Sequence, residues 1–179
     1  ILGFVLYNID FEALRMLSEV HLSLHDFDKA LDHGSKAFKL NPNDPRVSSV
    51  YGEILIRTKK LDEGISYLEK AYELDPIPQG QSTSDRRICA LLTGYYRADN
   101  LEKCSEMLSK IVDVDFKSWL LSYDIFKKNN SFNKNDDWFK KGLTKFENID
   151  VKLEVDRFHL NNKDLKNELI EKANKILVT

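Results

Sequence analysis

Apolar and small side chains recur along this chain at steps of three and four, the spacing that gathers residues on one face of a helix. Over 27–42 they are Phe27, Ala30, Leu31, Gly34, Ala37, Phe38 and Leu40. The same types return in the same order as Leu61, Gly64, Ile65, Leu68, Ala71, Tyr72 and Leu74. Each stripe closes at a proline, Pro42 or Pro76, which lacks the N–H needed to continue a helix. Upstream of each lies a second apolar stripe, Leu14-Leu17-His21 and then Val50-Tyr51-Ile54-Leu55. Short breaks at His25-Asp26 and Lys59-Lys60 separate the stripes of each pair. In the linker "NPNDP", Asp44 suits a helix N-cap and Pro45 the first helical position. The pattern predicts a helix-turn-helix-turn unit that repeats every 34 residues, as the interval from Pro42 to Pro76 shows.

The pattern continues more loosely. Ile88, Leu91, Leu92 and Tyr95, then Leu101, Cys104, Leu108, Ile111 and Val114, predict a third pair of helices after an insertion within "PIPQGQSTSD". Leu120, Tyr123, Trp138, Leu143 and Phe146 predict a fourth, around the polar stretch "KKNNSFNKNDD". Leu165, Leu169, Ala173, Ile176 and Leu177 form a last helical stripe. Between them, Ile149, Val151, Leu153 and Val155 alternate with charges as in a strand, although the surrounding helices favour helix over 149–160. At the start, "GFVLYN" (3–8) aligns with "AFKLNP" (37–42) and "AYELDP" (71–76), with Asn8 in the proline place. That alignment predicts the end of a preceding second helix, packed against a helix over 11–24.

A helical hairpin of this length, with small residues at fixed offsets and a closing proline, resembles the tetratricopeptide repeat family. The residues that carry the resemblance are Leu17, Ala30, Ala37 and Pro42, then Tyr51-Gly52, Gly64, Ala71 and Pro76. The family's usual tryptophan and second-helix aromatic are missing. The resemblance implies an all-α fold, a right-handed superhelical solenoid of antiparallel helical hairpins with about four units and a C-terminal capping helix. Its expected boundaries are 1–10 for the end of a preceding second helix, then units at 11–44 and 45–78. A unit with an insertion follows at 79–116, a degenerate one at 117–148, and a final degenerate unit with the capping helix at 149–179. Alanine and glycine are expected at helix crossings, where a small side chain lets two axes approach.

Composition narrows the function. The 179 residues carry 27 basic and 29 acidic side chains, a net charge of −2, so no global field favours nucleic acid or anionic lipid. No apolar run approaches the ~20 residues of a membrane helix. Cys89 and Cys104 are too few for a disulfide scaffold; they are compatible with a reducing compartment such as the cytoplasm without fixing one. No glycine-rich phosphate loop, nucleophile elbow, zinc-protease or calcium-loop motif is present. His21 and His25 have the i, i+4 spacing of metal ligands, but His21 falls at a packing position and His25 in a turn, so neither a metal nor a cofactor is expected.

In the family, the first helix of each unit lines a concave groove. The offsets that this implies place Arg15, Glu19 and Leu22, then Arg46, Glu53, Ile56 and Arg57, then Arg86, Tyr96 and Arg97 along it. Of seven arginines, six (Arg15, Arg46, Arg57, Arg86, Arg87 and Arg97) fall on these three helices, and only Arg157 lies elsewhere. Guanidinium suits bidentate recognition of carboxylate or phosphate. The set used by relatives that clamp a chaperone's C-terminal carboxylate is not matched: the aligned places hold Arg15, Glu19, Val50, Arg86 and Ala90. The expected function is a non-catalytic interaction scaffold, monomeric, gripping a protein or peptide, acidic in character, along the groove. Two alternatives stand beside it: a substrate-positioning or regulatory appendage of a larger enzyme such as a transferase, and a self-assembling scaffold.

Overall fold

The computed structural model describes residues 2–75, 86–112, 115–131, 137–156 and 163–177. Among these the chain is all helical, with α1 (Leu2–Ser23), α2 (Phe27–Leu40), α3 (Pro45–Arg57), α4 (Leu61–Leu74) and α5 (Arg86–Arg97). There follow α6 (Leu101–Lys110), α7 (Phe116–Lys128), α8 (Asp137–Phe146), α9 (Val151–Asp156) and α10 (Lys163–Leu177). They fall into two compact units, unit 1 over Ile1–Ile111 and unit 2 over Val112–Thr179.

Unit 1 is a row of three helical hairpins, α1–α2, α3–α4 and α5–α6, each packed on the next. The helices start and stop where local chemistry dictates. The Asp44 carboxylate accepts from the Arg46 and Val47 amides, and Pro45 opens α3. Asp26 and Asn100 cap α2 and α6 through the amides of Lys29 and Lys103. The turn inside each hairpin is the same. His25, Lys59 and Asp99 take left-handed φ of 59°, 68° and 54°. The amide after each donates five residues back, Asp26 to His21, Lys60 to Leu55 and Asn100 to Tyr95, all at 2.9 Å. This is a Schellman closure built without glycine.

Small residues carry the crossings. Ala30, Ala37 and Ala71 are buried to 1% exposure or less. A Cβ on Gly52 would lie 2.8 Å from the Gly64 carbonyl oxygen, and one on Gly64 would lie 2.7 Å from that of Gly52, so α3 and α4 touch backbone to backbone. Cys104, at the place of Ala30 and Gly64, is fully buried. Leu17, one of the residues carrying the resemblance, is instead 44% exposed.

At the N-terminus the expected break is absent. Residues 2–10 do not form a separate helix packed against the next; they run on without interruption as the first half of α1. The reason is local: Asn8 keeps the N–H that Pro42 and Pro76 lack.

Unit 2 contains α7 to α10. Its α7–α8 turn repeats the closure seen in unit 1, with Asn130 at φ 52° and the Ser131 amide 2.9 Å from the Phe126 carbonyl. The core is aromatic: Trp119, Phe139, Phe116 and Phe146 pack with Val151, Val155, Ala173 and Ile176. Gly142 makes room for the indole, since a Cβ there would stand 2.0 Å from Trp119 Cδ1. The strand-like alternation resolves as helix over 151–156, where Val151 and Val155 turn inward and Leu153 is 51% exposed. Residues 157–160, Val114 and most of the polar loop (132–136) lie outside the described residues.

Candidate functional site

The first helices α1, α3 and α5 border one concave site in unit 1, of about 520 Å³. Arg15 and Glu19 reach it from α1, Arg46 and Glu53 from α3, and Arg86 from α5. Their spacing is that of the repeat: side chains at equal offsets in successive first helices line up across the row.

The arginines are paired. Arg15 is held between Glu12 at 2.7 Å and Glu19 at 3.0 Å, and its side chain is only 14% exposed. Arg46 contacts Asp44 at 2.8 Å and reaches back to Glu12 at 3.4 Å. Arg86 spans Glu19 at 3.4 Å and Glu53 at 3.6 Å. Arg57 contacts Glu53 at 3.4 Å. The hydrogen bond from Arg15, with the nearby charges of Arg15 and Arg46, holds the Glu12 carboxyl below its ordinary value. Burial pushes Asp44 up, but hydrogen bonds from the Arg46 side chain and amide win and keep it low. Four guanidiniums thus meet four carboxylates in and around the site, which alternates in charge and is not simply basic. Arg46 and Arg86 remain about half exposed, at 49% and 50%.

Leu74, Asp75 and Arg87, none of them at an expected groove offset, also line the site. Leu74 and Asp75 end a second helix, which the family offsets do not include. Arg87 is 3% exposed and ties α5 to the end of α4, donating to the carbonyls of Ala71 at 2.9 Å and of Asp75. The end of α4 leaves carbonyls for a cation to satisfy.

Two expected groove residues are corrected. Leu22 and Ile56, 6% and 3% exposed, are core residues with no surface for a bound chain. Arg57, Tyr96 and Arg97 do not line the concave site; Arg97 donates to the Ile56 carbonyl at 2.9 Å.

His21 stacks on His33 at 5.4 Å between ring centroids, and its Nδ1 lies 3.6 Å from Asp26. His25 is in the turn, its ring edge-on to Phe27 at 5.5 Å. No cluster of three potential ligands for a metal ion occurs among the described residues. A second concavity, of about 530 Å³, lies on α8 in unit 2 beside Lys140, Lys141 and Lys145. A solvated lysine face on one helix fixes no ligand geometry. No helix among the described residues is long and apolar enough to cross a membrane.

Fold and site together define a helical-hairpin repeat protein with a charged concave face. Residues 46–78 match the family model of the tetratricopeptide repeat, and the chain carries that repeat. Solved structures of similar fold include the TPR2B domain of yeast Sti1 in its pHsp70 complex, 17% identical, with a TM-score of 0.50 over 76% of this chain and 98% of that one. The MamA protein is also similar, 15% identical, with a TM-score of 0.60 over 94% of this chain and 92% of that one. No curated protein sequence matches the chain.

Proposed function

We propose that this protein is a non-catalytic interaction scaffold that seats an acidic or phosphorylated segment of a partner protein in the concave site of unit 1. The observation that carries the reading is the placement of Arg46 and Arg86, half exposed, on either side of the enclosed Arg15. Their present partners on other helices stand at 3.4–3.6 Å, longer than a good charge-assisted hydrogen bond. An incoming phosphate or carboxylate takes over donors that Glu12, Glu19 and Glu53 hold loosely. Leu74, 55% exposed at the edge, supplies the apolar contact that Leu22 and Ile56 do not. A longer segment continues along α3 and α5 toward Arg57, Tyr96 and Arg97.

A polypeptide ligand is supported by the Sti1 domain, a protein of this fold solved as a pHsp70 complex. Recognition here differs from a carboxylate clamp, because Val50 is buried and Glu19 already engages Arg15 and Arg86. Preorganisation favours the reading: the helices are stacked before any partner arrives, so little ordering entropy is lost on binding. Exposed pairs contribute roughly 0–1 kcal/mol each, so Arg46→Ala/Arg86→Ala is expected to weaken binding about tenfold. Added salt is expected to weaken it further, since charges beyond ~8–10 Å are screened at ordinary ionic strength. The measurement is a peptide array of acidic and phosphorylated segments, followed by titration of the best binder. Equal affinity for the double variant sinks the proposal.

A further inference from the structure

The charges in and around the concave site form an unbroken alternating file. It runs Glu12, Arg15, Glu19, Arg86, Glu53, Arg57, with successive contacts of 2.7, 3.0, 3.4, 3.6 and 3.4 Å. Arg46 joins it from the side, 3.4 Å from Glu12 and 2.8 Å from Asp44. Signs balance along the file, so a segment that brings only negative charge leaves the site with an excess of carboxylate. The distances decide which carboxylate is left short. When an anion draws Arg46 and Arg86 away, Glu12 and Glu19 both keep Arg15, at 2.7 and 3.0 Å. Asp75 keeps Arg87, which is buried and takes no part. Glu53 gives up Arg86 and is left with Arg57 at 3.4 Å, although its side chain is only 19% exposed. Water reaches so enclosed a carboxylate poorly, and losing a partner there costs more than on an open surface.

We infer that the segment seated in this site is amphoteric, an assignment that rests on the anion seat proposed above. Beside the acidic or phosphorylated residue that engages Arg46 and Arg86, it carries a lysine or arginine that replaces Arg86 at Glu53. Arg86 sets the spacing. Its guanidinium stands between the two seats, so anion and cation lie roughly 7 Å apart, the separation of side chains two residues apart in an extended segment. The same carboxylates select against the wrong ligand. A uniformly acidic run meets Glu12, Glu19, Glu53 and Asp75 as like charges, so discrimination comes from repulsion as well as attraction. A uniformly basic run meets Arg15, Arg46 and Arg86 in the same way. An alternating segment instead extends the file with its signs in order.

The probe is a short fluorescein-labelled phosphoserine peptide carrying either lysine or norleucine two positions from the phosphate, on either side. Norleucine keeps the aliphatic stem and removes the charge, so the first comparison leaves the protein untouched. Fluorescence anisotropy on the intact chain should show the lysine peptide binding about fivefold tighter, the upper range for one partly exposed ion pair. On Glu53→Gln that preference should vanish, while the norleucine peptide binds no more weakly than to the parent, because Arg86 has lost a competing carboxylate. Circular dichroism of Glu53→Gln should match the parent, since glutamine keeps the shape of the side chain. Equal affinity of the two peptides for the parent overturns the amphoteric assignment. So does a lysine preference that persists on Glu53→Gln. In both cases the anion seat stands if Arg46→Ala/Arg86→Ala still weakens both peptides. Failure of both peptides to bind, or binding indifferent to the arginine variant, overturns the anion seat as well.

Discussion

In unit 1 the helices cross over alanine and glycine; in unit 2 they cross over tryptophan and phenylalanine. Ala30, Ala37 and Ala71 are buried at the crossings, and Gly52 and Gly64 bring α3 and α4 into backbone contact. Trp119, Phe139 and Phe146 fill unit 2, with ring centroids 5.4 Å apart from Trp119 to each phenylalanine. The difference matters because a small-residue crossing can be copied. One hairpin fits the next in the same way each time, and a row results. A crossing filled by an indole is specific to its site, and Gly142 leaves the room that the indole takes. The repeat-family match at 46–78 covers α3 and α4, the hairpin whose helices touch at Gly52 and Gly64. The charged concavity lies on the same regular row, because side chains align across helices only where hairpins repeat in register.

The comparison is broken most directly from the aromatic side. Trp119→Ala removes a fully buried indole and is expected to cost about 3–5 kcal/mol. Hydrogen exchange should accelerate over 116–177 while the 30–71 amides keep their protection. Loss of protection across both units would show that they share one cooperative core.

Gly64→Ala tests the small-residue side. The added methyl meets the Gly52 carbonyl and the Ile56 backbone at 2.7–2.9 Å, and backbone cannot rotate away. Overpacking of this kind costs about 1–3 kcal/mol. Both tryptophans, Trp119 and Trp138, lie in unit 2, so indole fluorescence reports that unit while circular dichroism reports the whole chain. The dichroism melt should shift to lower temperature with the fluorescence melt in place. An unshifted dichroism melt would mean that α3 and α4 do not approach as closely as described.

The smallest effect sharpens the one feature that the units have in common. Lys59 and Asn130 occupy the left-handed position of equivalent turns. Left-handed backbone costs a branched or long side chain roughly 1–2 kcal/mol, less for asparagine, and glycine nothing. After glycine's larger loss of chain entropy, Lys59→Gly should stabilise unit 1 by about 0.5–1 kcal/mol. Asn130→Gly should change the stability of unit 2 by less, as read from denaturant midpoints. Equal gains at both would show that the tolerance of asparagine is not what distinguishes them.

Much of this protein was legible in the order of its residues. The 34-residue interval, Pro42 just past the end of α2, the Asp44 cap and the burial of Ala37 and Ala71 are all consequences of local chemistry repeated in register. A helix face and its caps depend on residues within a few positions of one another, so they can be read along the chain. Other features belong to the folded molecule alone. Arg86 finds Glu19 from 67 positions away and Arg46 finds Glu12 from 34, so the groove expected to be arginine-rich is balanced by its own carboxylates. Leu22 and Ile56 share a periodicity with the groove yet turn into the core, because which edge of a helical stripe is covered depends on the neighbouring helix. The shared turn carries His25, Lys59, Asp99 and Asn130 where glycine would have announced it. Residues 2–10 match the end of a second helix in sequence and continue α1 in space. Pattern along the chain determined which faces are apolar; only packing between helices decided which of those faces, and which charges, stay exposed.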